Sequence, residues 1–308
     1  MWGANFILAE IALREMAPIS FSVSRFVMGG VAMVTVLYVQ CYLDAKKSGD
    51  PFSFFPKIEK GDWLSILLIA ILGATLAPWL GIEGLGLTHG ARASLWLALG
   101  PAISTGFGYF FSTERMGVWG YAGIALAMAG TLILAMDGLR PEQGYWLGDL
   151  LLLAALALTV IELHLIKPLA RKYGPVSMVA MRTVIGGALY LLIASPSLSD
   201  EAWLSLGTWT WIAILAGGAI GVGIGQWVKV RALRRLGPTQ VVLYGNMVPV
   251  AALLIAWLSI GKAPSILELL STLFIISGAV LIQSVDAQMQ PLAEGEEDIS
   301  VVASTKQE

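Results

Sequence analysis

Apolar runs about as long as a bilayer crossing recur along this chain, each closed by a short charged or Pro/Gly turn, and that recurrence limits the fold more than any motif. A hydrocarbon core about 30 Å thick takes roughly 20 apolar residues per helical crossing. The runs fall at 2–16, 20–43, 63–87, 93–112, 117–136, 148–168, 175–195, 209–233, 238–260 and 264–285. They predict an all-α integral membrane protein of ten transmembrane helices. The weaker ten-residue alternation of a membrane β-barrel is not seen. Composition agrees: 57% of residues are hydrophobic and 13% charged, against about a quarter charged in soluble domains. The stretch from Asp286 to Glu308 is acidic and free of aromatics, so 287–308 is expected to be a disordered cytoplasmic tail.

Loop charge sets orientation. Turns after the even-numbered spans hold twelve Lys and Arg, among them Lys46, Lys57, Arg115, Arg171 and Arg234; turns after the odd-numbered spans hold four, Arg14, Arg92, Arg140 and Lys262. Positive charge stays inside, which places both termini in the cytoplasm of a chain in the inner (plasma) membrane. A net charge of −2 argues against a nucleic-acid partner. Cys41 alone makes no internal disulfide, and two histidines leave little for a metal site. No P-loop pattern occurs, so no nucleotide or other cofactor is expected.

The chain also resembles itself. An offset of 148 pairs Trp63 with Trp211, Gly73 with Gly221, Trp79 with Trp227, Pro101 with Pro249 and Gly130 with Gly278. An offset of 157 pairs Arg14 with Arg171, Pro18 with Pro175, Arg25 with Arg182, and Gly29-Gly30 with Gly186-Gly187. Two repeats follow, 1–137 and 145–286. Five helices is an odd number, so the second copy should lie upside down relative to the first, a plan of secondary transporters that bind substrate near the midplane. The partner of Gly148 would fall before Met1, so the first span is expected to lack about half a crossing. It does not read as a signal peptide, because no basic region precedes it and Glu10 interrupts it.

"WGANF" at 2–6, "SFSVSRF" at 20–26 and "GARASLWLALGPAISTGFGYFFSTER" at 90–115, with a looser second copy "GPTQVVLYGNMVPVAALLIAWLSIGK" at 237–262, resemble the EamA-type permeases of the drug/metabolite transporter superfamily. The likeness runs from residue 2 to about 285. It implies two inverted five-helix repeats and export of small metabolites, amino acids among them. Lys262 departs from it, standing where the second repeat usually has an acidic residue.

Within "GGAIGVGIGQW", Gly217, Gly221 and Gly225 recur every fourth residue, as do Gly73, Ala77 and Gly81 in the first repeat. Small residues at that spacing let helix backbones approach closely, as static packing or as a bending element, and Gly218 and Gly223, on other faces, suggest close contact on more than one side or a helix able to bend. Polar groups at apolar depth are the candidate substrate-binding residues, because each is costly in lipid. They are Asn5, Glu83, Glu162, His164, Gln226 and Asn246, with Trp79, Trp96, Trp227 and Tyr244 as aromatic cavity walls. Glu162 either pairs with nearby Lys167 or Arg171 or faces a cavity and couples a proton, with or without His164. Glu83 lies toward an outer end, while Gln226 and Asn246 serve equally well as interhelical glue. Arg25 and Arg182 are expected to snorkel or cap helix ends, with a substrate role as the alternative, and no fixed cationic site for phosphate is expected.

Rings flanked by Glu, Gln and Asn suit a small amphipathic molecule. The expectation is therefore an exporter of amino acids, aromatic ones included, or related metabolites, with no catalytic residues and no metal. An intramembrane enzyme lacks a nucleophile–base pair to build on, and a non-transporting scaffold has no need of deep carboxylates. The partners expected are the small-molecule substrate, the lipid bilayer and a coupling proton, and a homodimer is compatible with the reading.

Overall fold

The computed structural model describes residues 8, 11–48, 54, 56–87, 99–110, 117–136, 146–245, 250, 254 and 265–281. Most of the first predicted span, Asn5, Trp96, Asn246 and the tail at 287–308 lie outside the described residues. Every regular element among those described is helical. They are α1 Pro18–Ser48, α2 Lys60–Gly86, α3 Gly100–Phe110, α4 Val118–Met136, α5 Trp146–Tyr173, α6 Pro175–Ser199, α7 Thr208–Arg235, α8 Pro238–Gly245 and α9 Ile266–Leu281. Five of these, α1, α2, α5, α6 and α7, are long and apolar enough to cross a membrane. Their outward faces expose Leu64, Leu192, Trp209, Leu215 and Val228. Apolar surface on that scale is suited to lipid, not water.

Glycines set how closely the spans approach. A Cβ on Gly29 of α1 would land on Val222 and the Gly218 carbonyl of α7, and Gly218 itself rests on Arg25 and Met28. Gly186 of α6 is seated in the same way on the Ala70 carbonyl and Ala74 of α2, where the buried Thr75 hydroxyl donates to the Gly186 carbonyl at 2.8 Å. Gly29 and Gly186 are 157 apart, while Ala70/Gly218 and Ala74/Val222 are each 148 apart. Two contacts at opposite ends of the sequence therefore occupy positions that the two offsets relate.

Helix directions follow from the same neighbours. α1 and α6 cross antiparallel, with Phe26 beside Gly187 and Gly30 beside Thr183 and Val184; the Phe26 and Tyr190 rings meet edge to face at 5.7 Å. α4 and α9 are antiparallel too. Gly130 faces Ser271 and Ile275, and Gly278 faces Gly123 and Ala127.

Both α2 and α7 are wound as π-helix part-way along, over Leu72–Leu76 and Gly217–Ile224. A π turn bonds i to i+5 and inserts a residue, so fourfold spacing no longer holds one face. Gly218 and Gly223 meet α1, a close contact on a face other than that of the Gly217/Gly221/Gly225 stripe. Gly217, Gly221 and Gly225 are themselves buried. In the first half Gly73 faces Glu162, and Gly81 faces Ala155 of α5.

The α5–α6 corner needs its glycine. Gly174 has φ +87°, a region that L side chains avoid, and its N–H reaches back to the Ala170 carbonyl at 3.1 Å. Pro175 then opens α6 at a position where no helical N–H is required. Replacing Gly174 with Ala is expected to destabilise the fold by about 1 kcal/mol or more, read as a lower unfolding temperature in detergent.

Candidate functional site

Glu162 sits near the middle of α5, where both ends of the helix are far away. Its carboxylate meets Arg182 of α6, with Oε1 3.0 Å from Nε, and the two side chains are 1% and 3% exposed. The Arg182 Nη2 also donates to the Gly73 carbonyl at 2.7 Å, inside the π-turned stretch of α2. Gly73 is required there: a Cβ would fall on the Glu162 Cγ and Cδ. Three helices thus converge on one buried ion pair, two from the second half and one from the first. Lys229 of α7, half-buried, lies within electrostatic range of both Glu162 and Arg182.

This corrects the expectation that Arg182 reaches for a helix end. It lies seven residues into α6 and is drawn inward by a carboxylate twenty residues upstream. Glu162 in turn pairs with Arg182, and not with the predicted Lys167 or Arg171; an Arg171 amino group instead donates to the Arg234 carbonyl at the end of α7. The pair is poorly satisfied. Neither Glu162 oxygen nor the Arg182 Nε has a hydrogen bond of good geometry among the described residues. Burying two charges costs several kcal/mol per ion, regained only with good geometry and further hydrogen bonds. Such under-satisfaction calls for an explanation other than stability.

The other predicted residues are dispersed. His164 points away from Glu162, two residues and about 200° round the helix. Its Nδ1 donates to the Val160 carbonyl at 2.9 Å, and its ring lies 5.1 Å from Phe107 of α3. That geometry provides no direct hand-off of a proton from Glu162. Trp79 packs with Phe26, Ala74 and Tyr190. Trp227 packs in a different cluster, with Met33, Leu163 and Met178, and Arg231 stacks over its ring at 5.7 Å. The two rings therefore do not share one wall. Gln226 presents a buried Oε1 with no hydrogen bond among the described residues, three residues before Lys229 and so on its face. Tyr244 is half-buried, and Glu83 is exposed near the end of α2. Among the described residues no group of His, Cys, Asp and Glu is arranged to hold a metal.

Two polar clasps close the molecule at the two ends of α6. At its start, Lys172 bridges Glu59 at 2.6 Å and Asp62 at 2.8 Å, and the Tyr173 hydroxyl donates to Asp62 at 2.6 Å. At the other end, Glu15 accepts from the Gly207 N–H at 2.8 Å and the Thr210 hydroxyl at 2.6 Å, while Glu201 accepts from the Ala17 N–H at 2.8 Å. Offsets of 157 and 148 carry Glu15 to Lys172, Glu59 to Gly207 and Asp62 to Thr210. The positions match while the chemistry differs. The second clasp rims a surface cavity of about 500 Å³ between Leu13–Ala17 and Ser197–Glu201.

Known proteins place this arrangement. An uncharacterized transporter of Haemophilus influenzae is 24% identical over 91% of this chain and 93% of its own. A probable terminal-alkyne amino-acid exporter of Streptantibioticus cattleyicolor is 26% identical over 91% and 89%. An S-adenosylmethionine/S-adenosylhomocysteine transporter of Chlamydia trachomatis is 24% identical over 66% of this chain and 60% of that protein. A solved structure, titled as the crystal structure of a protein, superposes with a TM-score of 0.71 at 20% identity over 91% of this chain and 92% of that one, and so shares its fold. The EamA-like transporter family model matches residues 1–136 and 146–284. Those matched segments take in every residue of the ion pair and of both clasps, and the chain belongs to the EamA-like transporter family, as a multi-pass membrane protein.

Proposed function

We propose that this chain is a secondary transporter that exports small amphipathic metabolites, amino acids and aromatic amino acids among them, across the inner (plasma) membrane. Residues 1–137 and 145–286 act as two inverted five-helix repeats, ten spans in all, with both termini cytoplasmic, and rock about a midplane site in alternating access. The observation that carries the reading is the buried Glu162–Arg182 pair, held on the Gly73 carbonyl of the other half. Charges at such depth face a bundle interior or a substrate path. The offset-related seats of Gly29 and Gly186 support the repeat reading, as do the antiparallel crossings of α1 with α6 and α4 with α9. The amino-acid exporter among the relatives supports the substrate class, and the S-adenosylmethionine carrier has a substrate that is itself an amino acid.

Counterflow in proteoliposomes tests this directly. Labelled amino acids should accumulate transiently in vesicles preloaded with unlabelled substrate, without ATP. No accumulation of any amino acid sinks the substrate class. Glu162 is the group through which a proton would couple. A pH gradient that acts no differently on the parent chain and on Glu162→Gln removes it from that role. Gly73→Ala pushes the Glu162 side chain off its seat, and the counterflow rate should fall about tenfold, equivalent to roughly 1.4 kcal/mol.

A further inference from the structure

We infer that Glu162 and Arg182 form an exchangeable ion pair that reads both charges of an α-amino acid: the substrate carboxylate replaces Glu162 on Arg182, and its ammonium takes the freed Glu162 carboxylate. The inference rests on the transporter reading and names the chemical group its site recognises.

Three observations carry it. The first is anchoring. Arg182 is tethered independently through Nη2 to the Gly73 carbonyl, so it keeps its place when Glu162 leaves. Glu162 has no such tether, since neither of its oxygens has a hydrogen bond among the described residues. The second is the seat. Glu162 lies against Gly73 of α2, where any Cβ would fall on its Cγ and Cδ, so its side chain is placed by close approach and not by a hydrogen bond of its own. The third is charge. The resting pair is neutral, and Arg⁺–⁻OOC–R–NH₃⁺–⁻Glu is neutral too, so a zwitterion enters with no net charge left in the lipid core. A bare carboxylate would set a second negative charge against Arg182 and Lys229 and would offer Glu162 no ammonium in exchange. A bare amine would leave Arg182 unpaired. The charged groups facing Glu162 are Arg182 from α6 and Lys229 from α7, and α2 offers the backbone of Gly73. Lys229 biases the carboxylate toward the Arg182 side. The exchange makes no covalent bond and needs no cofactor.

Competition in counterflow tests the pair without altering the protein. The amino acid that gives the strongest counterflow is labelled, and its competitors are the same amino acid, its methyl ester, its N-acetyl derivative and its deaminated acid. The free amino acid should compete; the ester and the N-acetyl form should compete at least about thirty-fold more weakly, the effect of removing one partner from a buried charge pair. The deaminated acid, which offers Glu162 no ammonium, should compete more weakly than the free amino acid. In Glu162→Gln the free and N-acetyl forms should converge, with folding checked by melting in detergent. An ester and N-acetyl form that compete as well as the parent overturn the ion-pair exchange while leaving the transporter standing. Counterflow of other solutes that amino acids do not inhibit also overturns it. A chain that moves no solute overturns the transporter reading itself.

Discussion

Arg182→Gln should abolish transport and also destabilise the protein by about 3–5 kcal/mol, the cost of leaving a buried charge without its partner. Glu162 then sits at 1% exposure without its guanidinium, with Lys229 left as the cation facing it, and Gly73 loses the donor on its carbonyl. The double variant Glu162→Gln/Arg182→Gln should regain most of the stability, because two neutral amides of similar shape leave no charge to bury. It should not regain transport. Thermal melting in detergent of both single variants and the double variant closes a cycle whose coupling energy isolates the pair. A purely structural pair would let stability and transport recover together. Equal melting temperatures in all four proteins would remove the pair from any role in the fold.

Much of this chain was legible as sequence because the bilayer imposes a length. Apolar runs of the right span need no tertiary information, and α1, α2, α5, α6 and α7 fall on predicted spans. The packing glycines are legible as close approach on more than one face, but their winding is not: the stretch is π-wound and turns Gly218 toward α1. The pairing of Arg182 is not local: read alone the residue suits a helix end, and nothing near it in the chain says that α5 and α2 will enclose it. The signal was present in the offsets. Arg182 aligns with Arg25, and Glu162 was already singled out as a deep carboxylate in need of a partner. The clasps were hidden by comparing residue types: Arg14 and Arg171 were matched, yet the next pair, Glu15 and Lys172, keeps its place and inverts its charge.

Joining the chain across either clasp should stop turnover, while joining neither leaves it intact. In alternating access each end opens while the other stays shut, so a carrier locked at one end completes no cycle. Glu15→Cys with Thr210→Cys, or Asp62→Cys with Lys172→Cys, bridged by a short thiol cross-linker in a Cys41→Ala background, should each cut counterflow by more than tenfold. Each should restore it on cleavage of the linker. The unbridged clasps should differ in what opens them. Glu15 is held below its ordinary carboxylate value of 4.5, first by the Thr210 hydroxyl and then by the Gly207 N–H. Its contribution is therefore complete above that ordinary value and is lost as pH falls through the lowered one. Arg14, Asp200 and Glu201 line the same cavity. Lys172 is raised above its ordinary 10.5 by Asp62 and then Glu59, so its ammonium stays charged at neutral pH and below. Asp62 is itself held low by Lys172 and Tyr173. Exposed ion pairs weaken with salt, whereas a carboxylate on a backbone N–H and a hydroxyl depends on it less. Raising ionic strength at neutral pH should therefore expose a thiol introduced by Ile58→Cys more than one introduced by Leu206→Cys, both half-buried beside their clasps, read as the rate of modification by a membrane-impermeant reagent in solubilised protein. Equal responses at the two ends would mean that the clasps are incidental surface contacts and that the barrier at each face lies deeper, at the glycine seats of α1 and α6.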